Sequence, residues 1–129
     1  VSRDGSVDVT NDGGLDVDSG AGTAYGVLAD TQGIGDVGVY GTGGVTVTGA
    51  LGAYGIKATA SYTGSVYVDV GGNISASTDF GSAIGIYADA YGGNVDVQSA
   101  GTIYAGSANN DFYAEPPLRY YIARINIAF

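Results

Sequence analysis

The sequence predicts an all-β fold, a right-handed parallel β-helix of about four coils that lie one on another. Three observations predict it: short runs of alternating apolar residues recur at a fixed period, the spacing inside each period is constant, and glycines recur in register with the runs. Three short strands per coil cannot close a core alone. Each strand must therefore pair with its equivalent in the next coil.

The apolar runs define the coil. The first run begins at residues 7, 37, 66 and 95, which gives successive periods of 30, 29 and 29 residues. A second and a third run follow at constant offsets, and a fixed spacing within a fixed period indicates a repeat architecture. The equivalent positions are Val7, Val37, Val66 and Val95 in the first run, Leu15, Val45, Ile74 and Ile103 in the second, and Val27, Ile56 and Ile86 in the third.

Glycines form three columns beside these runs. We interpret them as structural turn glycines, because the corners of a solenoid need tight bends, some with positive φ, that glycine adopts without a Cβ clash. The positions are Gly5, Gly35, Gly64 and Gly93 before the first run, Gly13, Gly43, Gly72 and Gly101 before the second, and Gly26, Gly55 and Gly85 before the third.

The chain divides into a lead-in at 1–4, the repeats at 5–111 and a C-terminal capping or connecting strand at 112–129. Pro116 and Pro117 end the repeats, since proline cannot donate to a strand ladder. The alternation after them predicts one amphipathic strand of about ten residues. Whether it caps its own solenoid, joins a neighbour or is a remnant of a membrane barrel stays open. Its apolar face holds Tyr121, Ala123, Ile125, Ile127 and Phe129.

Composition restricts the partners. The formal net charge of −9 predicts a surface that repels nucleic acid and anionic lipid headgroups. The sequence has no apolar run of about 18 residues, so we expect no transmembrane helix. It has no cysteine, hence no disulfide framework. The chain opens at Val1 without a basic and then apolar leader, so we expect any export signal to have been removed or to lie elsewhere.

The repeated skeleton A-x-G-I-x-A, followed by V-x-V and G-x-I/L, resembles the β-helical passenger region of bacterial autotransporters, the type V secreted proteins. It reads AYGVLA at 24–29, AYGIKA at 53–58 and AIGIYA at 83–88. The resemblance covers roughly residues 5–106. It implies a protein carried to the outer surface of a Gram-negative cell, where many such passengers are adhesins or stalks. The alternating C-terminal strand, with its terminal Phe129, is similar to the last strand of an outer-membrane barrel.

Catalytic and metal-binding residues are not evident. Equivalent positions in adjacent coils lie about 4.8 Å apart, and no column carries aspartate in neighbouring coils. Asp8 and Asp96 share a column at roughly 14 Å, three coils apart. The sequence has no histidine or cysteine, and Lys57 is the one side-chain base in the coils. We therefore predict no enzyme, no catalytic residue, no metal and no cofactor, with a polysaccharide-active β-helix enzyme as an alternative.

Tyrosine is the unusual residue of this chain, with eleven copies and no tryptophan. Tyr67, Tyr87 and Tyr104 fall at outward positions and form a possible interaction surface, since exposed tyrosine stacks on sugars or anchors an interface. The alternative is that tyrosine simply suits a strand surface. Tyr25, Tyr54 and Ile84 share one column, which we interpret as packing.

These observations favour a non-enzymatic structural or adhesive module of the extracellular space or cell surface, bound to a host or cell-surface glycan or protein. An alternative is a self-associating subunit, either a homo-oligomer or an extracellular filament, joined by coil stacking and exchange of the tail strand.

Overall fold

The computed structural model describes residues 1–107 and 125–127, and this part of the chain contains strands and no helix. Within it, no helix is present that could cross a membrane. The strands are β1 Val7–Thr10, β2 Leu15–Ser19, β3 Thr23–Thr31, β4 Val37–Gly41, β5 Val45–Gly49, β6 Gly52–Ala60, β7 Val66–Val70, β8 Ile74–Thr78, β9 Ser82–Ala90, β10 Val95–Ser99, β11 Ile103–Ser107 and β12 Ile125–Ile127.

The strands form three parallel sheets that run along the stack of coils. Sheet one has the order β1-β4-β7-β10-β12, sheet two β2-β5-β8-β11 and sheet three β3-β6-β9. From β1 to β11 every third strand returns to the same sheet, so the predicted parallel β-solenoid is confirmed. The described residues make three complete coils and the first two strands of a fourth.

The register follows the period of the sequence. Val7 pairs with Val37, Val37 with Val66 and Val66 with Val95, so the first apolar run makes one ladder. The second run pairs in the same way in sheet two, and the third in sheet three. Since the strands pair in phase, each inward position lies directly above its equivalent in the coil below.

The core is narrow and filled by alanine, valine and isoleucine. In β5 and β7 buried and exposed residues alternate strictly, so each strand turns one face inward. Val37 and Val47 are fully buried, whereas their coil-one equivalents Val7 and Val17 are only partly buried. The difference has a simple cause: among the described residues, no coil lies beneath coil one.

Two glycine columns lie between strands, where successive coils approach closely. A Cβ on Gly35 or Gly43 would lie less than 3.0 Å from the backbone of Gly5 or Gly13, closer than real Cβ atoms come. Gly64, Gly93, Gly72 and Gly101 show the same contact with the coil below. A different residue, Gly41, has the positive φ, 133°, that the structure records. These glycines are therefore required because successive coils approach closely, and not because their backbone is left-handed.

The third column lies within strands. Gly26, Gly55 and Gly85 fall inside β3, β6 and β9, at the position where the register pairing of these strands is interrupted. A Cβ on Gly26 would meet the Val45 side chain, and one on Gly55 the Ile74 side chain. A Cβ on Gly26 or Gly55 would also meet the carbonyl oxygen of the equivalent glycine in the next coil. These glycines therefore leave room both for side chains of sheet two and for the neighbouring coil.

Side chains at one corner fix the register between coils. The Asp36 N–H donates to Ser6 Oγ at 3.2 Å, the Ser65 N–H to Asp36 Oδ1 at 2.7 Å, and the Asn94 N–H to Ser65 Oγ at 3.1 Å. Each coil thus supplies a side-chain acceptor to the equivalent residue of the next coil. A slip of one residue would break all three bonds.

Both ends of the chain contact the repeats. In the lead-in, Ser2 bridges to Thr31 at the end of β3, and the Ser2 N–H donates to the Asp30 carbonyl at 2.9 Å. At the other end, Ile125 and Ile127 belong to β12, which pairs in parallel with β10. The remaining predicted tail positions, Tyr121, Ala123 and Phe129, lie outside the described residues, as does the predicted boundary at 111/112.

Candidate functional site

The three tyrosines predicted as one interaction surface lie on three different sheets. Tyr67 is in β7 of sheet one, Tyr104 in β11 of sheet two and Tyr87 in β9 of sheet three. They belong to the first, second and third apolar runs respectively, and each run builds its own face of the solenoid. The structure therefore does not bring these three together, and run membership was the signal that would have separated them.

On sheet three, tyrosines from adjacent coils stack. The rings of Tyr25 and Tyr54 have centroids 5.0 Å apart and an interplanar angle of 14°. The Tyr54 and Tyr87 centroids are 6.4 Å apart at 76°, an edge-to-face contact. Tyr25 and Tyr54 are register partners, so strand pairing itself places one ring above the other.

Lys57 lies among these rings. Its Nζ is 5.7 Å from the centroid of Tyr25, 5.5 Å from that of Tyr54 and 5.6 Å from that of Tyr87. At these distances the ammonium is attracted to the negative faces of the rings. Sequence reasoning noted Lys57 only as a base and missed this group, although Lys57 and Tyr87 are register partners.

A second tyrosine pair lies on sheet one and lines a groove of about 170 Å³. Tyr40 comes from β4 and Tyr67 from β7, and both side chains are more than one-third exposed. We call this the sheet-one groove. Its described lining is Tyr40, Tyr67, Val68, Asp69, Asp96 and Gln98.

Gly38 explains how the Tyr40 ring reaches its position. A Cβ on Gly38 would collide with the ring and the hydroxyl of Tyr40, two residues later on the same strand. Tyr40 therefore covers the bare backbone of Gly38, in the way that aromatic rings cover glycine on sheet surfaces. On sheet two, Tyr104 covers Gly106 similarly.

The sheet-one groove is electrostatically negative. Burial raises the pKa of the Tyr40 hydroxyl, and the neighbouring Asp8, Tyr67, Asp36 and Asp69 raise it further. Each of these groups disfavours a negative charge on the phenol oxygen.

One carboxylate oxygen of a side chain that lines the groove has no hydrogen-bond partner among the described residues. Asp96 Oδ1 is buried and accepts no hydrogen bond within the described part of the chain. Among the described lining residues are two carboxylates and no basic side chain. This arrangement can accept hydrogen bonds and attract positive charge.

Other features carry less chemistry. In residues 1–107 and 125–127, no group of three or more acidic, histidine or cysteine side chains could hold a metal ion. A cavity inside the solenoid, beside Asn11 and Ile56, has a volume of about 10 Å³. That is about the space of one water molecule and leaves no room for a larger ligand.

Comparison with protein-family profiles, with characterised proteins and with solved structures gives no match for this chain.

Proposed function

We propose that this chain is a non-enzymatic structural or adhesive module of the extracellular space or cell surface, comparable in role to an autotransporter passenger. One observation carries the proposal: solvent-exposed tyrosines stand at outward positions on all three sheets. Tyr25, Tyr40, Tyr67 and Tyr104 are between 36% and 58% exposed. Tyrosine gives a large contact area at low entropic cost, which suits a surface that binds other molecules.

The scaffold supports such a role because it is rigid. Each inner strand pairs on both edges, and the corner bonds from Ser6, Asp36 and Ser65 hold successive coils in register. The outward side chains therefore keep fixed positions about 4.8 Å apart along each column. Preorganised contacts of this kind lower the cost of binding.

Attachment of protein-coated beads to cultured cells tests the adhesive role. The full chain should attach, and the double variant Tyr40→Ser/Tyr67→Ser should lose most attachment while keeping its circular dichroism spectrum and Tm. Thr46→Ser, at an exposed position on sheet two, is the matched control and should attach normally. Beads that never attach, or variants that all attach alike, would refute the proposal.

A second candidate function is self-assembly into a filament, favoured by the pairing of β12. This strand extends sheet one beyond β10 in the parallel direction. At the opposite end, no strand pairs with the outer edges of β1 and β2 among the described residues. A β1 edge placed on the β12 edge of a second copy would continue the sheet and give an open, head-to-tail polymer.

The free edge of β1 can be blocked selectively. The N–H groups of Val7 and Asn11 donate to coil two. Alternation along a strand therefore points the Thr10 N–H to the open edge. Thr10→Pro should abolish polymers in sedimentation and electron micrographs and leave the fold intact. Deletion of residues 118–129 should also abolish them if β12 is the connector. Monomers of the wild-type chain at every concentration would rule out the filament.

A further inference from the structure

We propose that the sheet-one groove binds the ammonium group of a lysine side chain on a partner protein. This inference rests on the adhesive function proposed above, because it specifies the ligand of that surface. Three features of the groove support it: its rings, its charge and its unpartnered acceptor.

The molecule already binds one ammonium group with tyrosine rings. On sheet three, Lys57 Nζ is within 5.7 Å of three ring centroids. On sheet one, Tyr40 and Tyr67 line the groove without a lysine, and carboxylates lie beside them instead. Tyrosine rings attract the Lys57 ammonium on sheet three. The tyrosine rings of the sheet-one groove can attract the ammonium of another protein in the same way.

The charge of the groove selects a cation. Asp69 and Asp96 line it, and Asp8 and Asp36 lie close enough to Tyr40 to raise the pKa of its hydroxyl. The chain as a whole carries a formal charge of −9. An acidic sugar or a phosphate would be repelled by this field, whereas a lysine would be attracted from a distance.

Asp96 provides the specific contact. Its Oδ1 is enclosed by protein and accepts no hydrogen bond from the described residues, which leaves Oδ2 as the oxygen open to a ligand. An ammonium carries three N–H donors and no acceptor, so it can donate to Asp96 while its charge faces the rings. A charge-assisted bond to a carboxylate is stronger than one from a neutral hydroxyl.

The dimensions favour a side chain. The groove has a volume of about 170 Å³, far more than one water molecule needs. That space takes the end of a lysine stem with its ammonium, and a folded peptide would not enter. The methylenes of lysine would pack on Tyr40 and Tyr67, as long basic side chains do on apolar surface.

An NMR titration of the full chain tests the inference. A blocked tripeptide with a central lysine should shift the resonances of Tyr40 and Tyr67, with a Kd on the order of a few millimolar. The same peptide with an Nε-acetylated lysine should cause no shift, because it has lost its charge. Added salt should weaken the binding. Equal shifts with both peptides would overturn the inference.

Variants locate the binding. Asp96→Asn and Tyr67→Leu should each weaken binding of the lysine peptide about three- to tenfold. Asp16→Asn and Tyr104→Leu, matched changes on sheet two, should leave the Kd unchanged. Loss of binding in the sheet-two variants, or no loss in those of sheet one, would overturn the assignment. Chain folding is checked by the Tm of each variant.

Two further titrations separate this inference from the function on which it rests. Choline and glucose replace the peptide, and choline binding with no peptide binding would overturn lysine as the ligand. If glucose shifts the same resonances and displaces the peptide, the ligand of the groove is not a cation and the inference is wrong. If beads attach to cells but the lysine peptide does not bind, the inference is wrong and the adhesive function stands.

Discussion

Replacement of Gly72 by alanine tests the physical basis of the stack. The added Cβ would lie less than 3.0 Å from three atoms: the carbonyl oxygen and carbonyl carbon of Gly43 and the nitrogen of Gly44. All three neighbours are backbone atoms, so no side chain can rotate away. The two coils must separate locally, which would weaken the adjoining ladder bonds. We expect the free energy of unfolding to fall by about 2–4 kcal/mol, which combines the cost of overpacking with the partial loss of a hydrogen bond.

Gly13 is the matched control, because it is the coil-one member of the same column. A Cβ there would meet nothing within 4 Å. Gly13→Ala should therefore be neutral or stabilise by about 0.4–1 kcal/mol, since alanine restricts the unfolded chain. Urea unfolding followed by circular dichroism measures both variants, with Tm as a second readout. Equal stabilities of the two variants would refute the argument that inter-coil contact requires these glycines.

Three further changes test other contacts. Lys57→Gln should lower the free energy of unfolding by about 1 kcal/mol at low salt, because three ring contacts are lost; equal stability in urea would contradict the contacts. Asp36→Ala should cost about 0.5–1 kcal/mol by leaving the Ser65 N–H to water, and hydrogen exchange at Ser65 should accelerate; unchanged exchange would argue against the bond. The raised pKa of Tyr40 makes its neutral form the stabilising one. Its contribution is complete below pH 10 and is lost as the pH rises through the raised value, so Tyr40→Phe should show a shallower alkaline loss of stability than wild type.

The sequence predicts the parallel strand pairing well because that pairing follows from the repeat period. Val37, Val66 and Val95 recur at one spacing. Parallel pairing in phase follows because each coil needs another coil to bury its apolar face. The glycines are harder to interpret. Gly26 and Gly35 look alike in sequence. A Cβ on Gly35 would meet backbone of the coil below, whereas one on Gly26 would meet both the Val45 side chain and the carbonyl oxygen of Gly55 in the next coil.

The sheet-one groove lies beyond what a repeat pattern can reveal. Tyr40 and Tyr67 occupy different columns of neighbouring coils, so no column comparison pairs them. That both line one groove depends on Gly38, whose missing side chain lets the Tyr40 ring lie back along its own strand. Side-chain direction on an outer face is set by such local vacancies, and periodicity carries no information about them.

The dependence of every coil on its immediate neighbours has a mechanical consequence. Tension applied between the two ends of the stack would load the last coil first, since each described strand pairs only with strands of adjacent coils. Each coil that detaches would release one repeat of the chain, a contour length of about 100 Å. A stalk built in this way would extend under shear in equal steps and absorb work at each one, where a globular domain would give way once.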